Sequence, residues 1–266
     1  MRRLVHVSDL HFGRDKPELL APLAAAIGAA RPDLLVVSGD LTQRARHRQF
    51  AAARRFLDGL EAPWLCVPGN HDVPLGNLGA RLLRPYRRYR RWIADELEPV
   101  WSDGEIAVAG LNTTDPLAWQ RGNARGAAIA RVCRRLEATG APLRVAVAHH
   151  PFLQLPAEPK TPMWGSAAGI EALAECGVAL VLSGHLHVWR ATPVPRRAAE
   201  AATLQVQAGT GLSTRQRGEP NDFNALEIAA ERVRVTRMAL ADREDRFTAH
   251  TEAVFLRRDG HWVAAD

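Results

Sequence analysis

The chain of 266 residues is short of several residue types, and each shortage narrows the classes of protein to which it can belong. It has three cysteines, an odd number, which does not suit the disulfide framework of a small secreted domain. These residues, Cys66, Cys133 and Cys176, fall in one strand pattern and two helix patterns. We therefore expect them to be reduced thiols in the core of a cytoplasmic protein.

Long hydrophobic runs are also missing. No apolar stretch approaches the roughly 20 residues of a membrane span, so we expect no membrane partner. From Met1 the chain enters a predicted strand that leads directly to a candidate site residue, so we expect no cleaved signal peptide. Neither an internal repeat nor a linker-like segment interrupts the sequence. These features predict a single domain over residues 1–266.

Lysine is scarce, since Lys16 and Lys160 are the only two, yet the net charge is +6. A basic surface attracts nucleic acid phosphates, but a preference for arginine with abundant alanine is also typical of a GC-rich genome. Residues 79–101 interleave arginines with tyrosine and tryptophan, as in surfaces that bind single strands. Their apolar residues also recur at helical spacing, which favours an amphipathic helix over residues 81–97 with solvated arginines. Nucleic acid is thus a partner that the sequence allows but does not favour.

The order of apolar patterns predicts the architecture. Residues 17–30 and 48–60 have the spacing of helices and alternate with short apolar strands, so the chain opens as parallel β-α-β-α-β. From about residue 189 the pattern changes to short alternating strands with turn signals, which predicts a mainly antiparallel C-terminal part. We predict an α/β fold of two stacked mixed β-sheets flanked by helices, in four α/β/β/α layers.

Five of the predicted buried strands end in residues that commonly bind metals. The carboxyl ends of parallel strands meet at one edge of a sheet, where α/β proteins bind their ligands. Six of the ten histidines lie at these ends, which unrelated histidines would not produce. The five strand ends carry Asp9 and His11; Asp40; Asn70, His71 and Asp72; His149 and His150; and His185 and His187.

The donor types predict the chemistry of this site. A carboxylate such as Asp40 can bridge two cations, whereas a neutral imidazole cannot. Carboxylate, amide and imidazole donors without thiolate suit Mn²⁺, Fe²⁺, Zn²⁺ or Co²⁺. Two such ions, about 3.5 to 4 Å apart, make hydroxide available near neutral pH and hold phosphoryl oxygens for in-line displacement. We therefore predict hydrolysis of a phosphate ester by attack of a metal-bridging hydroxide.

His71 and Asp72 are the candidate catalytic residues. The imidazole of His71, beside the ligand Asn70, is placed to protonate a leaving alkoxide, and we expect the Asp72 carboxylate to orient it. Two loops are predicted to line the site, namely the proline-rich residues 151–164 and the turn at residues 209–211.

These motifs resemble the calcineurin-like metallophosphoesterase family, whose set is Asp-x-His, Gly-Asp, Gly-Asn-His followed by Asp or Glu, a later His, and Gly-His-x-His. The resemblance spans residues 9–187 and implies two metals that share Asp40. It also implies that His149, the first histidine of a His-x-Pro pattern, is a ligand, with His150 as the alternative, and that His71 is the proton donor or phosphate contact. The implied ligands are Asp9, His11, Asp40 and His187 for one ion and Asp40, Asn70, His149 and His185 for the other.

Within this family the motifs are most similar to those of the bacterial class III cyclic-nucleotide phosphodiesterases. Protein Ser/Thr phosphatases follow their Gly-Asp with Asp-Arg-Gly, where this chain has Gln43-Arg44-Ala45. We therefore expect a small phosphodiester as substrate, with 3′,5′-cyclic nucleotides as one candidate. A nuclease and a phosphomonoesterase remain alternatives, and the intact ligand set disfavours a non-catalytic scaffold. An exposed C-terminal edge strand would allow a homo-oligomer.

Overall fold

The structure is a computed structural model that describes residues 1–155, 158, 160–195, 203–241 and 246–265. Strands and helices alternate through the first two thirds of the chain, and strands alone follow. The elements are β1 (Arg2–Val7), a 3-10 helix (Pro17–Leu19), α1 (Leu20–Ala30), β2 (Leu34–Val37), α2 (His47–Asp58), β3 (Trp64–Cys66), α3 (Leu78–Leu83), α4 (Arg87–Trp92), β4 (Val100–Ser102), β5 (Ile106–Leu111), α5 (Gly126–Ala138), β6 (Leu143–Ala148), α6 (Ser166–Glu175), β7 (Val178–Ser183), β8 (Arg190–Val194), β9 (Thr203–Gln207), β10 (Asp222–Ala229), β11 (Arg232–Leu240), β12 (Phe247–Arg258) and β13 (His261–Ala264).

These strands form two mixed sheets. The first has the order β13-β12-β11-β10-β1-β2-β3, in which β1, β2 and β3 are parallel and β10 to β13 pair antiparallel. The second has the order β4-β5-β6-β7-β9-β8, with a parallel centre and antiparallel edge strands β4 and β8. The predicted pair of mixed sheets flanked by helices is confirmed.

The packing of the apolar side chains explains why the sequences of the central strands are nearly continuous hydrophobic runs. In β2, Leu34 and Val36 belong to the core between the two sheets, whereas Leu35 and Val37 pack under the helices on the outer face. Successive side chains of a strand point to opposite faces, so a sheet covered on both faces needs apolar residues at every position. Helices α5 and α6 cover the outer face of the second sheet in the same way.

The prediction of one amphipathic helix over residues 81–97 is wrong. Two short helices, α3 and α4, occupy this segment, and Pro85 lies between them, where its ring and missing N–H end a helix. Tyr89 and Ile93 are buried as expected, but Leu82 is exposed and Arg81 is buried instead. The Arg81 guanidinium donates to the main-chain oxygens of residues 74, 116 and 118. The apolar spacing was misleading because it continued across the proline.

The prediction of three reduced thiols is wrong for two of them. Cys133 on α5 and Cys176 after α6 form a disulfide, and Cys66 is the free, buried cysteine. The two helices pack on the same face of the second sheet and bring the Cα atoms of these cysteines within 5.8 Å. Cytoplasmic thiols are normally kept reduced, so the expected cytoplasmic location loses this support.

Among the residues that the structure describes, no helix is both long enough and apolar enough to cross a membrane.

Candidate metal centre

The structure brings the predicted ligand residues to one place between the two sheets. The loops after β1, β2 and β3 supply ligands from the first sheet, and those after β6 and β7 supply the rest from the second. All seven side chains are buried, which is unusual for carboxylates and imidazoles unless they are paired or bind a metal. They are Asp9, His11, Asp40, Asn70, His149, His185 and His187.

The backbone at this centre adopts a conformation that side chains seldom tolerate. Five of the seven residues have positive φ angles between 50° and 73°, in the left-handed region. Such strain persists only where surrounding contacts impose it, and it concentrates at functional sites. Here main-chain hydrogen bonds impose part of it, since the Asp9 and His11 N–H groups donate to the carbonyls of Gly39 and Asp40. The five residues are Asp9, His11, Asp40, His185 and His187.

Asp9 is held by one of its oxygens and leaves the other available. Its Oδ2 accepts from the Ser8 hydroxyl at 2.6 Å and from the His185 N–H at 2.8 Å. Its buried Oδ1 has no hydrogen-bond partner but lies 3.0 Å from His187 Nε2 and 3.5 Å from His11 Nε2. Nearby cationic imidazoles would hold the Asp9 pKa well below its usual range, although burial alone would raise it.

The histidine rings turn lone pairs toward these oxygens. His187 Nδ1 donates to the Arg215 carbonyl at 2.6 Å, so in the neutral ring Nε2 carries a lone pair toward Asp9. That same Nε2 is 3.3 Å from His11 Nε2. Where lone pairs of two imidazole nitrogens and a carboxylate oxygen face one another, they repel unless a proton or a metal cation lies between them. This donor group therefore fits a divalent metal ion.

A second donor group adjoins the first through Asp40. His149 Nδ1 donates to the Ser38 carbonyl, which turns Nε2 toward Asp40 Oδ2 at 3.4 Å, Asn70 Oδ1 at 3.1 Å and His185 Nδ1 at 3.2 Å. Burial alone would lower the pKa of His149, but the Asp40 carboxylate raises it to about 9. The negative charge of Asp40 thus favours a cation at His149. The surrounding donors would also suit a metal ion at this position.

His150 lies beside this second group, with a ring nitrogen within 4.8 Å of donor atoms of His149 and His185, but its two nitrogens have other partners. Its Nε2 donates to the Gln120 carbonyl at 3.0 Å, and its Nδ1 contacts the Thr113 hydroxyl at 2.9 Å. Both ring nitrogens are therefore occupied by neutral protein groups, although the ring lies close to His185. This geometry favours His149 over His150 as the ligand.

His71 and Asp72 lie in the same loop but serve different contacts. His71 Nδ1 donates to the Gln43 carbonyl at 2.8 Å, so a main-chain oxygen orients the imidazole. The predicted orienting role of Asp72 does not match the structure, because its oxygens accept from the main-chain N–H groups of Leu41, Thr42 and Gly69 and from the Thr42 hydroxyl. Asp72 instead ties the loop after β2 to the loop after β3.

We expect Asp72→Asn to destabilise the fold. The NH₂ group of the new amide would face main-chain N–H donors that now share the two carboxylate oxygens. A buried donor left without an acceptor in this way costs about 1–3 kcal/mol. Urea unfolding checks this, with Asp58→Asn on the exposed end of α2 as the control. An unchanged midpoint for Asp72→Asn would contradict the holding role.

The sequence alone did not assign a role in the centre to three residues that lie there. Arg215 approaches His71 and His187, the Lys160 amine donates to the His185 carbonyl, and the Gln43 carbonyl orients His71. The predicted turn at 209–211 does adjoin the site, since the Thr210 hydroxyl donates to the Asp9 carbonyl at 2.8 Å. Lys160 lies in the proline-rich loop 151–164 that was predicted to line the site, of which residues 156, 157 and 159 are outside the described residues. Arg215 belongs to no motif, and Gln43 acts through its main chain.

Comparison with curated proteins finds phosphodiesterases. Over 199 residues the chain is 28% identical to a protein of Synechococcus sp. described as "Probable cyclic nucleotide phosphodiesterase", an alignment that covers 69% of this chain and 72% of that protein. Over 80 residues it is 36% identical to the glycerophosphodiester phosphodiesterase GpdQ of Enterobacter lignolyticus, covering 26% of this chain. The match spans only 29% of the length of GpdQ.

Solved structures share the fold. A dimetal phosphatase from Danio rerio superposes with a TM-score of 0.65 at 12% identity, covering 90% of this chain and 96% of that one.

The family model described as calcineurin-like phosphoesterase matches residues 2–189. Because this match covers more than half of the chain and includes every predicted ligand, the chain belongs to the calcineurin-like phosphoesterase family.

Proposed function

We propose that this chain is a two-metal phosphodiesterase that hydrolyses small phosphodiesters, with 3′,5′-cyclic nucleotides as the leading candidates. The observation that carries the proposal is the position of Asp40. One of its oxygens, Oδ2, lies 3.7 Å from His11 Nε2 in the first donor group and 3.4 Å from His149 Nε2 in the second. A carboxylate shared by two buried donor groups suits a pair of bridged ions.

The residues divide into two ligand sets. The first ion would be held by Asp9, His11, Asp40 and His187, and the second by Asp40, Asn70, His149 and His185. When bound, two divalent ions polarise phosphoryl oxygens and make a water nucleophilic near neutral pH. The mixed nitrogen and oxygen donors suit Mn²⁺, Fe²⁺, Zn²⁺ or Co²⁺.

The protein itself would position the ions and the proton donor. The second Asp40 oxygen, Oδ1, accepts from the His71 N–H at 2.7 Å, so the shared carboxylate and the His71 loop are fixed relative to each other. The Gln43 carbonyl fixes the ring, with Nε2 on the side away from Gln43. We assign His71 as the group that contacts the phosphate or protonates the leaving oxygen.

A nuclease is the second candidate, supported by a groove beside α3 and α4. This groove has a volume of about 450 Å³ and contains no acidic residue among its lining side chains. Guanidinium groups attract phosphate backbones, and the exposed Leu83 offers an apolar surface for bases. Its arginines are Arg84, Arg87, Arg88 and Arg91.

A substrate panel tests the proposal. Protein reconstituted with Mn²⁺ is assayed on cyclic AMP, bis(4-nitrophenyl) phosphate, 4-nitrophenyl phosphate and single-stranded DNA, with bound metal measured in parallel. We expect the highest kcat/KM on a small diester and loss of turnover after chelation. A preference for the monoester or for DNA would replace the substrate assignment. Absence of bound metal with no turnover would favour a scaffold.

A further inference from the structure

The loop between β9 and β10 carries one arginine into the metal centre. The Arg215 carbonyl accepts from His187 Nδ1 at 2.6 Å, and its Nη1 donates to His71 Nε2 at 2.8 Å. The main chain around it is fixed, because the Arg215 N–H donates to the Ser213 hydroxyl and the Asn221 amide donates to the Ser213 carbonyl. The guanidinium therefore reaches the site from an ordered backbone.

This guanidinium forms no ion pair with a carboxylate of the described residues. Within the described part of the chain, no carboxylate lies within ion-pair distance of Arg215, whereas Arg237, from the neighbouring strand β11, pairs with both Glu219 and Asp222. A guanidinium has five N–H donors in a planar fork that matches phosphate oxygens. Its one side-chain acceptor here is a neutral ring nitrogen. An anion that enters the site would be a stronger acceptor.

The hydrogen bonds of His71 show what the arginine does before substrate binds. The Gln43 carbonyl can only accept, so His71 Nδ1 carries the hydrogen, and Arg215 can only donate, so Nε2 is the acceptor. In this state Nε2 is occupied and has no proton to give. The His71 ring also lies 4.9 Å, centre to centre, from the ring of the ligand His11. The guanidinium is therefore next to the first donor group.

We propose that Arg215 binds the phosphate of the substrate, exchanging His71 Nε2 for a non-bridging phosphate oxygen. The exchange leaves the lone pair of His71 Nε2 without a partner; because Nε2 carries no hydrogen in this state, the imidazole can protonate the leaving oxygen only after Nε2 has taken a proton from solvent. The inference rests on the proposed function and adds a binding residue for the phosphoryl group. It also separates two roles of one residue: the carbonyl positions His187, and the guanidinium binds anions.

The test compares Arg215→Ala and Arg215→Lys with Arg217→Ala, which removes an exposed arginine two residues along the same loop. Calorimetry measures the affinity of the Mn²⁺-loaded protein for inorganic phosphate, and metal analysis and steady-state kinetics accompany it. Loss of a charge-assisted hydrogen bond predicts about 10- to 100-fold weaker phosphate binding in Arg215→Ala. We expect KM to rise with it while kcat stays within about threefold, and Arg215→Lys to recover part of the affinity. Arg217 acts on the nearby Lys160 through its charge, so we expect Arg217→Ala to weaken phosphate binding less than Arg215→Ala does.

Metal content should not change in Arg215→Ala, since a main-chain carbonyl holds His187. Parental phosphate affinity in Arg215→Ala would overturn the proposal. So would loss of metal, or a fall in kcat at constant KM, because each assigns Arg215 to holding the site. If the parent protein hydrolyses no diester, the proposed function fails, yet the phosphate affinities still decide the role of Arg215.

Discussion

Asp40→Asn is expected to reduce kcat/KM by at least about 10³-fold and to leave the protein with fewer than two bound ions. An amide has one oxygen where the carboxylate has two, so it cannot accept from the His71 N–H and bridge two cations at once. The remaining –NH₂ group would face His11 and His149 and donate to ring nitrogens that now face a carboxylate oxygen. Metal analysis and kinetics on bis(4-nitrophenyl) phosphate measure both effects.

The same substitution should also destabilise the metal-free protein. Without metal, the carboxylate is buried against imidazoles, which hold its pKa well below its usual range although burial alone would raise it. A lowered pKa means that the ionised carboxylate favours the folded state, so the amide loses this contribution and leaves the imidazoles without their anionic partner, although it can keep the bond from His71. Asp58→Asn, at an exposed ion pair with Arg54, supplies a control that should leave both metal and turnover unchanged. Two bound ions and parental turnover in Asp40→Asn would show that Asp40 does not bridge.

Elements buried on both faces were the most predictable from the sequence. The mainly apolar runs Ile106–Leu111 and Leu143–Ala148 form β5 and β6, because such a run ends sharply where polar residues leave the sheet. The short edge strand β4 was missed, since its side chains are partly exposed and few. A strand of this kind forms because a neighbour offers hydrogen bonds, which no local pattern records.

The residues of the candidate site also divide into those that the sequence could predict and those that it could not. The proposed ligands, such as Asp9 and His149, could be named from the sequence because each follows a buried strand and belongs to an ordered series of motifs. The group that orients His71 was not, because it is the main-chain carbonyl of Gln43 and any residue can supply one. Arg215 lies 144 positions from the histidine that it contacts, in a chain rich in arginine. Only the packing of the two sheets brings that pair together.

Gly69→Ala is expected to disable the centre without changing any ligand. A Cβ at this position would lie 2.3 Å from the Asp40 nitrogen and 2.2 Å from its Oδ1, far inside contact distance. The Gly69 backbone has little freedom to yield, because its N–H donates to Asp72 at 3.0 Å. Relief of the clash must therefore move the Asp40 loop, and we expect turnover to fall as far as in Asp40→Asn. Overpacking of this kind also costs about 1–3 kcal/mol of stability.

The pH dependence of stability separates this variant from Asp40→Asn: the steric clash acts at every pH, whereas the loss caused by Asp40→Asn should shrink as pH falls below the usual carboxyl range, so unfolding is measured at neutral and at acidic pH. Urea unfolding with metal analysis of both variants makes the comparison. Gly79→Ala on α3 is the matched control, since its Cβ would meet no atom closer than 3.6 Å and alanine favours the helix. Parental stability and turnover in Gly69→Ala would mean that the loops after β2 and β3 can separate freely. The short Gly69–Asp40 contact would then not set the position of the shared carboxylate.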